Sequence, residues 1–523
     1  NRGINGDTVY VSNSEVVGVK KRNTQNIVGI LHLNTNQKYG FTKRNVPYYK
    51  FTSISHKFPN FIVPSKSREK KAIYCVIKIN KWETKNKLPI GQIEKLLGPV
   101  GDNTNEINML LYHTEIFPKK NKTKYNDLEV LKIYEYNTYS IDPVGCKDID
   151  DALHYREYDN KIEIGIHIAN VARHIEKLDT NFYSSVYLDD QQINMLDDNL
   201  TYNVCSLGSD VPRKSLSLIL TYQNNKLINS EFKETTVKNT PLSYKKVDQI
   251  IKHSIKHSIL NLYKFTLVLN GCDRMSATKM VEYYMLQYNS IMAETLYSNN
   301  PNTILRTHEL VKNNFGTNDE KLQIYLNKVN QNAAKYTSNP EKTFHEDLNF
   351  KFYTHATSPI RRYIDILNQQ NMIKLLENGK ININEDLDSI NLFQKKLRKF
   401  YNYYKKLKLI FKITKPEIHE AYIIGITNLK VKIFIPELDI EHGFLLLSNK
   451  LTGSNEIILK DSKISINKVE FKMYDKIKIK VTSLPYEEKF NKKLNITVLE
   501  PNFKILWILL NFIIIIKIFL LLL

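Results

Sequence analysis

The sequence predicts an α+β module with small β-barrels on either side of it. Three observations predict this. Short alternating strands separated by Gly, Pro and Asn fill residues 1–118 and return in 416–500. Between them, residues 279–297 place apolar side chains at 281, 284, 285, 288, 292 and 296, a helical stripe, and 391–412 form a basic, aromatic helix without an acid. Within the same interval residues 140–153, SIDPVGCKDIDDAL, gather four carboxylates, Asp142, Asp148, Asp150 and Asp151.

Composition bounds what such a chain does. Its 523 residues allow two to four domains with a sizeable core. Lys and Arg outnumber Asp and Glu by 75 to 54, a formal +21, which predicts a polyanionic partner, with an anionic membrane surface as the weaker alternative. Cys75, Cys146, Cys205 and Cys272 are far apart and form no C-x-x-C pair, so neither a disulfide framework nor a zinc knuckle is expected. No secretory leader opens the chain, and residue 1 is Asn, which predicts a fragment or a processed chain.

The first strands are TVYVSN, IVGILHL, NFIVP and AIYCVIKI. A basic linker follows, with Lys119, Lys120, Lys122 and Lys124. Next comes the acidic stretch. Asp148 and Asp150 are two apart and share a side in extended chain, whereas Asp151 needs the bend that Pro143 and Gly145 supply. Four such charges repel unless cations neutralise them, and oxygen-only ligands favour magnesium, with manganese as the alternative. A calcium EF-hand does not fit: counted from Asp142, position 3 is Val144 and position 12 is Leu153. About two hundred residues on, residues 353–367 read YTHATSPIRRYIDIL. Pro359 breaks the chain there, and a helix is expected from Ile360.

Together the two blocks resemble the RNase II (RNB) family of exoribonucleases, with its T/S-I-D-P-x-x-x-x-D-x-D-D-A and T-S-P-I-R-R-Y signatures. The wording from Pro143 to His154 is most similar to the branch that serves the eukaryotic RNA exosome. The resemblance implies an RNB catalytic domain over 130–412. It also implies a remnant of a first cold-shock-like OB barrel over 1–22, a second over 23–118, and a C-terminal OB barrel over 416–500. The activity it implies is 3′-to-5′ hydrolysis of single-stranded RNA to nucleoside 5′-monophosphates, with the exosome core ring as a docking partner and the nucleus or cytoplasm as its place. Asp142, Asp148, Asp150 and Asp151 would hold the metals, with Asp150, Asp151 and Arg361 catalytic. Tyr187, Glu282, Ser358, Arg361, Arg362 and Tyr363 would contact RNA.

Several positions depart from the family. Asn170 stands where Asp is usual and Arg173 where His is usual. A segment of several tens of residues is missing between about Phe265 and Met280, Asp347 replaces a glycine, and Asn368, Gln369 and Gln370 replace V-H-R. These departures keep open a second class of function, a catalytically inactive RNA-binding regulator. Residues 503–523 form an apolar tail. Its stretch 505–523 is long enough to span a bilayer, so a membrane anchor is expected only if that tail is genuine.

Overall fold

A computed structural model describes residues 2–83, 86–117, 136–175, 178, 181–209, 211–311, 315–381, 385–427, 430–445, 457–460, 463–466 and 469–500. The linker lysines 119–124 and the tail 503–523 lie outside the described residues. The chain forms two compact units, residues 1–116, 313–329 and 395–523 in one and residues 117–312 and 330–394 in the other.

The first unit opens with a hairpin, β1 (Thr8–Ser12) and β2 (Glu15–Lys21). A closed barrel follows, made by β3 (Ile27–His32), β4 (Tyr48–Ser53), β5 (Phe61–Pro64), β6 (Ala72–Lys81) and β7 (Ile90–Pro99) in the order β3-β4-β5-β7-β6. Leu31, Phe51, Phe61, Val63, Cys75 and Ile77 fill it. Each buried aliphatic or aromatic side chain contributes about 1.5–3 kcal/mol. Helix α1 (Asn103–His113) starts where the Asp102 carboxylate accepts from the Asn105 N–H at 3.0 Å.

The second unit is built on a six-stranded sheet in the order β14-β13-β10-β9-β8-β15. Its strands are β8 (Thr138–Asp142), β9 (Asp151–Tyr158), β10 (Lys161–Ala169), β13 (Arg213–Gln223), β14 (Lys226–Val237) and β15 (Asn239–Ser243). Helix α2 (Val171–His174) follows β10, and the short strands β11 (Val186–Tyr187) and β12 (Gln192–Ile193) pair with each other. Period-2 alternation points Leu153, Ile164, Ile166, Ile168, Leu216, Leu218 and Leu220 into one core. Helices α3 (Tyr244–Lys252), α4 (Ser258–Asn270) and α5 (Ala277–Asn299) add Val247, Leu262, Phe265, Tyr284, Tyr288 and Met292 to it.

The alternate positions of the same strands carry a buried polar row. His154 Nδ1 is 2.8 Å from His167 Nε2, and His167 Nδ1 is 2.7 Å from Ser217 Oγ, which lies 2.7 Å from Thr235 Oγ1. Gly165 makes room for it, since a Cβ there would lie 2.2 Å from His154 Nδ1. Where the resemblance expects a longer segment, α4 is capped by Gly271 with φ +58° and α5 by Ser276, so the six residues 271–276 make the connection.

Strand β16 (Leu305–Thr307), helix α6 (Glu320–Asn330) of the first unit and strand β17 (Lys335–Thr337), paired with β16, come next. Helix α7 (Tyr363–Leu376) starts three residues later than the sequence predicts. The reason is a contact distant in sequence. The Arg361 carbonyl accepts from the Ser185 N–H at 3.0 Å and from Ser184 Oγ at 3.1 Å, and this strand-like pairing delays the helix. Helix α8 (Leu387–Lys412) begins earlier than expected and takes Asp388 into its first turn.

The first unit resumes with β18 (Glu417–Thr427), β19 (Lys430–Ile435), β20 (Ile440–Leu445), β21 (Ile457–Lys460), β22 (Lys463–Ile466), β23 (Val469–Phe471), β24 (Lys476–Ser483) and β25 (Leu494–Glu500). Five of these form a sheet in the order β20-β19-β18-β24-β25 over Ile423, Ile433, Ile435, Ile479 and Val481, and β21–β23 form another. Among the described residues no helix is long and apolar enough to cross a membrane.

Candidate active site

The acidic stretch folds as the end of β8, a turn and the start of β9. Gly145, with φ +87°, turns the chain back, and no L side chain adopts that backbone readily. Ser206 pins the loop, accepting from the Ile149 N–H at 3.0 Å and donating to the Lys147 carbonyl at 2.8 Å. Residues 148–151 are thereby held against the sheet.

Asp150 is the centre of the arrangement and is 5% exposed. Its Oδ1 accepts from the Ile360 N–H at 3.0 Å, and its Oδ2 lies 3.2 Å from Arg361 Nε. Burial pushes its carboxyl up to about 7 against the pull of Arg361 and that N–H. Asp142 is pushed up to about 6, first by burial and further by Asp148, and its Oδ2 is buried with no hydrogen-bond partner. Asp151 is raised well above the ordinary range by burial, then by Asp142 and Asp150. Asp148 is tied down instead: it accepts from the Tyr187 hydroxyl and from Gln192 Nε2 at 2.9 Å. Burial and that hydrogen bond hold the Tyr187 phenol protonated, and its ring is 38% exposed.

Arg361 also donates from Nη2 to Ser358 Oγ at 2.8 Å, while the Ser358 N–H and Arg362 Nη2 both donate to Asp365 Oδ1 at 2.8 Å. The backbone N–H groups of Ile360 and Ser358 are thus taken by Asp150 and Asp365. Tyr363 is buried and donates to Glu385 at 3.2 Å.

The structure thus brings Asp142, Asp148, Asp150, Asp151, Tyr187, Ser358 and Arg361 together, with Arg362 and Tyr363 following directly in the chain. Glu282 stands apart, exposed on α5 and paired with Lys279 at 2.6 Å. Sequence reading missed Gln192 and Ser206, which orient the site from far along the chain. Asp365 lies in the SPIRRY segment itself, at i+3 from Arg362.

The family departures turn out to be tied into the scaffold. Asn170 caps α2 and donates to Glu234 at 2.8 Å. Arg173 bridges Glu234 at 2.7 and 2.5 Å and Glu377 at 2.5 Å. Asn368 binds Thr354 and the His355 carbonyl, Gln369 the Ala169 carbonyl and Gln370 the Ile175 carbonyl.

Among the described residues no three His, Cys, Asp or Glu side chains form a ready-made metal cage. Asp148 and Asp150 point their oxygens at protein donors. The residues nonetheless fit a hard divalent cation: the donor set is all oxygen, Asp142 Oδ2 is buried and unpartnered, and burial resists ionisation of three carboxyls, a resistance that a cation relieves.

An α+β module with this acidic pocket defines a class, and this chain carries it: the RNB domain. Residues 127–271 and 264–378 match the RNB domain, two segments meeting at the shortened α4–α5 junction, and residues 48–115 match the Dis3-like cold-shock domain 2. The particular relatives include the Exosome complex exonuclease RRP44 of Homo sapiens, 23% identical over 93% of this chain and 61% of that protein. Ribonuclease R 1 of Lactococcus lactis is 25% identical over 46% of this chain and 40% of its own length. The chain therefore spans about three fifths of the human relative. In fold it is similar to RNase R of Mycoplasma genitalium in complex with ribose methylated single-stranded RNA, with TM-score 0.72 and 17% identity over 92% of this chain and 91% of the other. Yeast Ssd1, a pseudonuclease, aligns with TM-score 0.64 and 15% identity over 93% and 84%.

Proposed function

We propose that this chain is a magnesium-dependent hydrolytic exoribonuclease that shortens single-stranded RNA from its 3′ end, in exosome-type RNA processing and decay in the nucleus or cytoplasm. The observation that carries this is the Arg361–Asp150 pair at 3.2 Å, its carboxylate buried, beside the unpartnered Asp142 Oδ2 and an Asp151 whose ionisation burial resists. On this reading residues 130–412 are the catalytic domain. The barrels over 23–118 and 416–500 guide an unpaired strand, 1–22 are what remains of a first barrel, and a core ring is the docking partner.

Asp142, Asp148, Asp150 and Asp151 would hold the metal, magnesium or manganese, which when bound supplies Lewis-acid activation and neutralises charge at the phosphodiester. Water attack at the last phosphorus breaks its bond to the 3′ oxygen, leaving a nucleoside 5′-monophosphate and a strand with a free 3′ hydroxyl. Arg361 offsets the charge that builds on the phosphoryl oxygens, a role worth about 3–4 kcal/mol for a preorganised donor. The exposed Tyr187 ring offers a stacking platform to a terminal base, worth roughly 1–3 kcal/mol. Ser358 holds the Arg361 guanidinium in place.

The test is product analysis on 5′-labelled single-stranded RNA with magnesium, wild type beside Asp150→Asn. Stepwise shortening by wild type alone supports the enzyme. Binding without shortening by either protein would leave an RNA-binding regulator, and the compressed α4–α5 junction is the feature that favours that second reading.

A further inference from the structure

Arg306, on β16, is a cation without an anion. Its guanidinium lies 5.0 Å from the centre of the Tyr336 ring, and among the described residues no carboxylate reaches ion-pair distance of it. Its placement is fixed, because its N–H donates to the Tyr353 carbonyl at 2.8 Å. Beneath it lies a layer of rings: Tyr336 Oη is 2.7 Å from His355 Nδ1, and the Tyr353 ring meets His355 at 5.8 Å and His345 at 5.4 Å edge-on.

A second arginine serves the same cluster. Arg362 pairs with Asp365 at 2.8 Å, but its buried Nε has no hydrogen-bond partner, and neither has Asp365 Oδ2. Asp347 adds a negative charge near His345, weaker there than the pull of Arg306. Burial, then Arg362, Arg306 and Arg361, keep His355 far below the ordinary imidazole range, and burial with Arg306 brings His345 down to about 4, so these rings are neutral. Arg306 therefore faces uncharged rings with no carboxylate at ion-pair distance among the described residues, while Arg362 has one, Asp365. A half-buried cation left uncompensated is unfavourable unless an anion visits. Two planar forks suit phosphate oxygens better than a carboxylate, which offers fewer acceptors.

We propose that Arg306 and Arg362 form a phosphodiester-binding subsite that grips an internal phosphate of the RNA strand, distinct from the Arg361–Asp150 pair at the reacting bond. The identity of the polyanion rests on the nuclease reading. Arg306 acts on binding, through charge, and does not touch the reacting atoms.

The experiment uses the full chain carrying Asp150→Asn, binding labelled single-stranded RNA over a range of salt. Adding Arg306→Gln should weaken binding about tenfold for every sequence and reduce the slope of log K against log salt by about 0.7, one phosphate contact on a single strand. Arg306→Lys should restore the slope, which a purely stacking role would not. In the active protein, Arg306→Gln should raise KM about tenfold with a fall in kcat under about threefold. A second measurement does not depend on the variant folding: RNAs with one neutral methylphosphonate, moved along the strand, should reveal an internal linkage at which wild type loses about tenfold in affinity and Arg306→Gln loses nothing. Equal salt slopes, or a scan flat at every internal linkage, would overturn the subsite. Failure of the nuclease reading shows separately, as RNA bound but never shortened by wild type, and absence of any RNA binding would overturn both.

Discussion

Two of the buried ionisable clusters are treated oppositely. In the first unit Glu106 and Lys493, both fully buried, form an ion pair at 3.0 Å. Glu106 also accepts from the Tyr74 hydroxyl at 3.0 Å and the Gly101 N–H at 3.0 Å. Every charge there has its counter-charge and its hydrogen bonds. In the second unit Asp142, Asp150 and Asp151 share one guanidinium, and one buried oxygen has no partner at all. A satisfied cluster fixes a structure. An unsatisfied one holds a deficit that only something from outside can fill, and this marks the acidic pocket as the place for chemistry.

The contrast can be broken at either end. The largest effect expected is on turnover: Asp150→Asn should lower RNA shortening by at least about 1,000-fold, as loss of a preorganised electrostatic group does. Its thermal midpoint should stay near that of wild type, which scanning calorimetry would show. Lys493→Ala should do the reverse. It strands the Glu106 charge and should cost about 3–5 kcal/mol in denaturant unfolding, and any RNA shortening by the folded fraction should persist.

A third, smaller effect sharpens the comparison through pH. Burial depresses His154 and His167 below the ordinary imidazole value, so the folded protein binds them neutral. A group with a depressed folded value contributes its full stability above its unfolded pKa, about 6.5, and loses it as pH falls. The unfolding midpoint should therefore drop as pH is taken below about 6.5, and His167→Gln should flatten that drop. Smallest is Gln192→Ala. It frees one oxygen of Asp148 from its amide donor and should lower magnesium affinity about tenfold, read by titrating activity against magnesium, with little change in thermal midpoint.

These differences also explain what the sequence could and could not disclose. The first barrel was legible because its strands alternate with period 2 and stop at Gly, Pro and Asn. The catalytic module was legible because its acids fall within ten residues and SPIRRY is a contiguous block. The ends of α7 and α8 were misjudged, since the backbone of Arg361 is claimed by Ser184 and Ser185 from 177 residues earlier, a partner no local pattern contains. Gln192 and Arg306 were invisible for the same reason. An amide or an arginine acquires meaning only from what the fold sets opposite it.

The separation between Asp150 and its two donors, 210 residues to the Ile360 N–H, has a consequence for biosynthesis. A ribosome adding roughly 5–20 residues per second releases Asp150 about 10–40 s before the segment that completes its surroundings. Over that interval the nascent polypeptide carries its acids with neither the amide nor the guanidinium that will enclose them. The surroundings of Asp150 are thus incomplete until Ile360 and Arg361 have emerged.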